Sequence, residues 1–170
     1  WAVANEELLQ ASLGYFINPL INVLLGVVFL RERLRRMQTV SVILAGIGVG
    51  YMIFKYGEVP WIALILAFSF GFYGLIRKTA NAESLVGLTV ETTLLAPLAI
   101  GFLLLRAAQG TGKFAAVSWE LDVLLASAGV ITAVPLLWFA ASARRLRYAT
   151  LGFIQYLAPT GQFLLAVLAF

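Results

Sequence analysis

Long apolar runs separated by short polar connections make up almost the whole chain. A bilayer core about 30 Å thick is crossed by about 20 apolar residues in a helix, and each run approaches that length. Backbone groups in hydrocarbon must be hydrogen-bonded internally, so runs this long predict helices and not barrel strands. The predicted spans are approximately Ala11–Leu30, Met37–Tyr56, Pro60–Ile76, Leu85–Leu105, Val123–Ala143 and Thr150–Phe170. The pattern therefore predicts an all-α polytopic membrane protein with about six transmembrane helices.

The composition agrees with a lipid environment and narrows the chemistry. Hydrophobic residues make up 62% of the chain and charged residues 12%, whereas soluble domains average about 45–50% apolar and about 25% charged residues. The chain has no Cys and no His, which removes thiol nucleophiles, disulfides and the usual general base. Because a membrane enzyme needs clustered nucleophile, base or metal ligands, we expect no enzyme, no metal and no cofactor.

Basic residues concentrate in alternate connections. Most of the Lys and Arg side chains lie in the loops Arg31–Arg36, Arg77–Glu83 and Arg144–Arg147, while the other connections are richer in Glu and Asp. The positive-inside rule therefore predicts that these three loops are cytoplasmic. The net charge of +4 comes with no aromatic-interleaved basic face, so we expect no nucleic-acid partner. Since Trp1 is not an initiator Met and Phe170 ends inside an apolar run, we also expect a piece of a longer protein.

Two segments of the chain are similar to each other. Ala11–Tyr15 (ASLGY) matches Ala149–Phe153 (ATLGF), and Pro19 and Pro159 follow the two copies. An odd number of helix starts separates the copies, so they are predicted to enter the membrane in opposite directions. Inverted repeats of this kind form the binding sites of many secondary transporters. The alternative is that helices rich in Leu and small residues resemble each other by composition alone.

The stretches LGYFINP (13–19) and QYLAPT (155–160), with the basic run after Arg31-Glu32, resemble the RarD-type permeases of the EamA group in the drug/metabolite transporter superfamily. The resemblance covers essentially the whole chain and implies a ten-helix protein of two five-helix repeats. Residues 1–56 would be the end of the first repeat, from the end of helix 3 through helix 5. Residues 57–170 would be most of the second, helices 6 to 9. The family usually has a Gly-Glu pair where this chain has Arg31-Glu32.

The resemblance also implies a function. It implies a secondary permease of the bacterial inner membrane, which exports a small metabolite or drug-like solute by alternating access. Its partners would be the small-molecule substrate and the lipid bilayer, with a homodimer as a candidate assembly. The alternative is a structural or channel-forming membrane subunit without solute-coupled transport, for which a ring of like side chains would be expected.

Polar side chains inside the spans are costly, so each one is a candidate for function. Asn18 and Asn22 are four residues apart on one helix face, where their amides could bind a ligand or a neighbouring helix. Pro19 and Pro159 predict kinks that free backbone groups beside these polar residues. The substrate-binding candidates are Tyr15, Asn18, Asn22, Ser69, Tyr73, Trp138, Gln155, Tyr156 and Gln162.

Two further features have both a functional and a structural interpretation. Glu91 is an acidic residue well inside a span, which makes it a proton-coupling candidate. Alternatively its carboxyl group bonds Thr92, Thr93 or a neighbouring helix, or reaches the interface. Gly46 and Gly50, four residues apart, predict a close contact with another helix.

Overall fold

The computed structural model describes residues 8–112, 114 and 116–169. Its helices are α1 (Leu8–Val28), α2 (Arg36–Tyr56), α3 (Trp61–Thr79), α4 (Ser84–Ala108), α5 (Trp119–Arg145), α6 (Tyr148–Gln155) and α7 (Leu157–Ala169). The described residues contain no strand. The all-α prediction is confirmed, and five predicted spans each correspond to one helix, whereas the sixth is divided between α6 and α7.

Four of these helices are long and apolar enough to cross a bilayer. They are α2, as far as Lys55, and the whole of α3, α4 and α5. Within α1 the shorter segment Leu13–Val28 is also apolar. Large apolar side chains are exposed along most of these helices, as expected for surfaces that face lipid or other membrane helices. The chain is therefore part of a multi-pass membrane protein.

The chain divides into two compact units. The first unit consists of residues 1–80 with 142–170, and the second of residues 81–141. In the first unit, α1 packs chiefly against α3 and α6 and only lightly against α2. The second unit contains α4 and most of α5. The polar features described below lie mainly in the first unit.

Contacts along α1 give the directions of its two neighbours. A Cβ atom added at Gly14 would lie 3.3 Å from the carbonyl oxygen of Ala63, and one added at Gly71 would lie 3.3 Å from Asn22 Oδ1, so α1 and α3 run parallel. Gly26 lies against Ala149, whereas Gly152, further along α6, lies against Pro19. Thus α6 runs antiparallel to α1. This is the relation that the inverted repeat predicts for its two copies.

The two prolines of the repeat lie in different local structures. Proline lacks an N–H group and its ring clashes with the carbonyl group four residues earlier, and the second copy indeed breaks one turn before Pro159. There the Tyr156 N–H group donates to the Phe153 carbonyl oxygen (3.2 Å), which tightens the turn between α6 and α7. By contrast, α1 continues through Pro19 as one helix. The kink proposed at Pro19 stays a prediction.

Candidate functional site

The polar contacts of the first unit begin where α1 ends and α6 starts. Helix α6 receives no side-chain hydrogen bond from its own N-cap residue, Arg147. Instead, the carboxylate of Glu32, just beyond α1, accepts hydrogen bonds from the backbone N–H groups of Tyr148 (2.7 Å) and Ala149 (2.8 Å). The first N–H groups of a helix have no partner inside it. Glu32 thus caps a helix that starts 116 residues later.

An unusual turn brings Glu32 to this position. Arg31 has a φ angle of 53°, in the left-handed region that side chains other than glycine rarely adopt. The Glu32 N–H group then donates to the carbonyl oxygen of Gly26 (3.0 Å). This turn directs the carboxylate back toward α6. Arg31, the residue with the strained backbone, stands where the RarD-type permeases that the sequence resembles usually have Gly.

Two glycines allow α1 and α6 to approach closely. A Cβ atom at Gly26 would lie 3.0 Å from both the Ala149 nitrogen and Glu32 Oε2. At Gly152 it would lie 2.7 Å from the Pro19 carbonyl oxygen and 2.9 Å from Val23 Cγ2. Because real Cβ atoms do not approach backbone atoms to 2.7 Å, α6 could not occupy this position with any other residue at 152. Small residues at helix contacts have the same role in other membrane proteins.

A buried hydrogen-bond network lies beside these glycines. The Tyr148 hydroxyl group lies 2.9 Å from Asn22 Oδ1 and 2.6 Å from the Gly71 carbonyl oxygen, so its single proton can be donated to either of these acceptors. Asn22 Nδ2 donates to Gln155 Oε1. Through these bonds the amide of Asn22, which is 0% exposed, links α1 to both ends of α6 and, by way of Tyr148, to α3. Asn22 and Gln155, both predicted from the sequence, are therefore brought together.

One turn earlier on α1, the polar groups are less well paired. Asn18 Oδ1 is buried and has no hydrogen-bond partner among the described residues. The Tyr156 hydroxyl group donates to the carbonyl oxygen of Phe16 (3.3 Å) at the break between α6 and α7. An unpaired buried acceptor costs about 1–3 kcal/mol. Asn18 is therefore the candidate whose hydrogen-bonding capacity the described residues leave unused.

A second contact ties α3 to the corner that precedes α6. Lys78 Nζ donates to the carbonyl oxygens of Ala143 (2.9 Å) and Leu146, and its neighbour Arg77 is 5% exposed. Glu32, Lys78 and Leu146 thus lie at one end of the first unit, which we call the basic end. Parts of all three loops that the sequence predicts to be cytoplasmic therefore lie together.

The remaining predicted residues do not join the network. On α1 and α3, Tyr15 is 70% exposed and Ser69 is exposed, while the half-buried Tyr73 packs its ring 6.0 Å from Phe70. Pro19 and Pro159 are buried. The side chain of Gln162 lies outside the described residues. Trp138, 72% exposed, and the half-buried Glu91, which has an interaction of its own, belong to the second unit.

Glu32 and Tyr148 were not among the residues predicted from the sequence. Glu32 was counted as part of a basic loop, and Tyr148 lies between the Arg144–Arg147 loop and the predicted span that begins at Thr150. One signal could have identified Glu32, namely that it is the single acidic residue in the Arg31–Arg36 loop. Among the described residues, no group of three acidic, His or Cys side chains could hold a metal ion.

Curated proteins similar to this chain agree with the resemblance seen in its sequence. The chain is 53% identical over its full length to an uncharacterized transporter of Pseudomonas aeruginosa and spans 57% of that protein. It is 52% identical over 98% of its length to the protein RarD of Escherichia coli, of which it spans 56%. It is also 33% identical over 99% of its length to a protein of Pseudomonas aeruginosa named chloramphenicol-sensitive protein RarD, of which it spans 56%. No family model and no solved structure matches the chain.

The fold and the buried polar contacts define a multi-pass membrane protein of closely packed helices. The similarity along the whole chain then gives the family: the chain belongs to the RarD-type permeases. It spans little more than half the length of these relatives. The activity of the whole protein is therefore the subject of the following proposal.

Proposed function

We propose that the full-length protein is a secondary transporter that exports a small metabolite or drug-like solute across the bacterial inner membrane by alternating access. The observation that carries this proposal is the polar contact between the antiparallel helices α1 and α6, where Asn22 and Gln155 are hydrogen-bonded in an otherwise apolar setting. Antiparallel copies of one motif that meet at polar side chains are the usual setting of a transporter binding site.

The break between α6 and α7 supports the same proposal. A helix interrupted inside the bilayer is tolerated where it is buried in protein or lines a cavity. The break leaves the carbonyl oxygen of Gln155 without the N–H group that Pro159 lacks. On α1, whose Phe16 carbonyl oxygen accepts the Tyr156 hydroxyl group at this break, Asn18 Oδ1 is a buried acceptor with no partner among the described residues. These groups would suit a solute that donates hydrogen bonds from a hydroxyl, amide or amine group.

The names of the relatives support the class of solute. Several are named transporters or RarD, and one is named chloramphenicol-sensitive protein RarD. A drug-like solute that combines apolar surface with a few hydrogen-bond donors fits helices with few polar side chains. Chloramphenicol therefore belongs in the first panel of solutes to be tested.

Transport by the full-length protein in inside-out vesicles tests the proposal. We expect at least one solute of a broad panel, measured with and without a pH gradient, to accumulate above the level in empty vesicles. The variant Asn18→Leu should lower that accumulation. The control Ser41→Ala should not, because the exposed Ser41 hydroxyl group donates only to the Met37 carbonyl oxygen of its own helix (3.0 Å). Absence of any solute-dependent signal would contradict transport.

The orientation of the protein is tested separately. Single cysteines at Arg35 and Arg145 should both react with an impermeant maleimide added from the cytoplasmic side. The basic end brings their two loops together, and positively charged loops stay on the cytoplasmic side of the membrane. Labelling from opposite sides would contradict both the orientation and the inverted repeat.

We also propose that Glu91 couples transport to protons. A carboxyl group within a span can take up a proton on one side of the membrane and release it on the other. The variant Glu91→Gln should then lose accumulation driven by a pH gradient and keep solute exchange. The control Glu83→Gln changes an exposed carboxyl group before α4 and should keep both. Unchanged accumulation in Glu91→Gln would remove Glu91 from the mechanism.

A further inference from the structure

Helix α6 depends on the rest of the molecule for its first turn. It has eight residues, no acidic residue in the first turn and no side-chain cap of its own. Isolated helices of this length are unstable in water. Glu32 supplies the missing acceptors with both carboxylate oxygens, on consecutive N–H groups. Hydrogen bonds to a charged carboxylate are roughly twice as strong as neutral ones, and a negative charge at this end also interacts favourably with the helix dipole.

The same corner is held from the other side by a cation. Lys78, near the end of α3, donates to the carbonyl oxygens of Ala143 and Leu146, the last of which lies just before α6. The end of α5 is thus held by a positive charge and the start of α6 by a negative one. Lys78 belongs to α3, and Glu32 belongs to the loop just beyond α1. Together they join α1, α3 and α6 at the basic end.

Glu32 has four arginines as neighbours in the sequence, which are candidate partners for a carboxylate that leaves α6. It is surrounded in sequence by Arg31, Arg33, Arg35 and Arg36. A carboxylate released from α6 could pair with one of these guanidinium groups in the wet loop, which lowers the cost of breaking the cap. Two alternative sets of partners for one charge are the basis of a two-state contact.

We infer that Glu32 is a positioning residue that clamps α6 to the end of α1 and keeps the basic end closed, and that its release from α6 opens this end during transport. The inference rests on the proposed function, since a protein without alternating access would have no need to open here. The clamp itself can be measured without a solute. Failure of the clamp and failure of transport are therefore distinguishable.

The test measures access to the α1–α6 contact in the full-length protein. The buried Leu151 (4% exposed) is replaced by Cys in a background without other cysteines, and its reaction with a maleimide is timed. Glu32→Gln keeps the size of the side chain but loses its charge and one acceptor oxygen. We expect labelling about tenfold faster than in the parent, equivalent to about 1.4 kcal/mol in the opening equilibrium. The matched control Glu83→Gln also changes a carboxyl group just before a helix, but one that makes no cap hydrogen bond, and should stay within twofold.

A second variant separates clamping from simple capping. Arg147 has the extended backbone of an N-cap residue (φ −61°, ψ 138°), so Arg147→Ser should give α6 its own cap. In the double variant Glu32→Gln with Arg147→Ser, thermal stability should return toward that of the parent while labelling stays fast, because the new cap does not reach α1.

Two results would overturn the inference. One is equal labelling of the Glu32→Gln and Glu83→Gln variants. The other is slow labelling restored by Arg147→Ser, since Glu32 would then only cap α6. Fast labelling of Glu32→Gln together with no transport of any solute would support the clamp and contradict the proposed function alone.

Discussion

Helices α1 and α2 have the same length, 21 residues each, and both carry glycines in an apolar setting. In the described structure, only the glycines of α1, and not those of α2, contact another helix. Around Gly46 and Gly50 of α2, nothing in the described structure lies within 4 Å of an added Cβ atom, and none of the membrane-length window of α2 is buried. Gly26 of α1, by contrast, lies directly against α6. The helix contact predicted for Gly46 and Gly50 is therefore not found among the described residues.

The polar side chains of the two helices explain the difference. On α2, the hydroxyl groups of Thr39 and Ser41 donate to the carbonyl oxygens of the N-cap residue Arg35 and of Met37, one turn earlier in the chain. On α1, Asn22 bonds to side chains of α6. Between helices in a bilayer there is no hydrophobic driving force, so close packing and interhelical hydrogen bonds decide which faces meet. Small residues make a contact feasible, and a side chain that bonds across the gap selects it.

The largest contrast between the two helices is expected from adding one methyl group. Gly152→Ala on α6 would force the new Cβ atom against the Pro19 carbonyl oxygen of α1, and overpacking of this kind costs up to about 3 kcal/mol. Gly46→Ala on α2 should instead stabilise by up to about 1 kcal/mol, because alanine has the higher helix propensity. Thermal unfolding in detergent measures both. Equal destabilisation would mean that a segment outside the described residues packs on Gly46.

A smaller contrast is expected within α1. Asn22→Leu removes the bonds to Tyr148 and Gln155 and leaves the Gln155 amide without that partner, which should cost about 1–2 kcal/mol. Asn18→Leu removes an acceptor for which the described part of the chain offers no partner, and it should leave stability unchanged or slightly higher, although we expect it to lower transport. The same unfolding experiment compares the two. A larger loss in Asn18→Leu than in Asn22→Leu would contradict the hydrogen bonds of Asn22 to α6.

The sequence was sufficient for the features that depend on hydrophobic length and spacing. Five spans follow from the apolar runs, whereas near Pro159 the missing proline N–H group predicted a kink and the structure has a break between two helices. Asn22 and Gln155 were found because polar groups are rare in such runs. Glu32 and Tyr148 could not be found in this way, because a charged or aromatic residue at a helix end is ordinary and its partner lies more than 100 residues away. Which glycines contact another helix could not be predicted either, since Gly46 and Gly152 both lie within predicted spans.

The smallest effect is expected at the turn that brings Glu32 to α6. Arg31 has a left-handed backbone, which costs a residue with a Cβ atom about 1–2 kcal/mol. Arg31→Gly removes this strain, but glycine loses more backbone freedom on folding, so we expect a net stabilisation of about 0.5 kcal/mol. The control Arg33→Gly changes an exposed residue of the same loop whose own φ angle is not positive, and it should be neutral or slightly destabilising. A rise in the unfolding temperature for Arg31→Gly alone would support the turn, and a fall would show that the Arg31 side chain contributes more than its backbone strain costs.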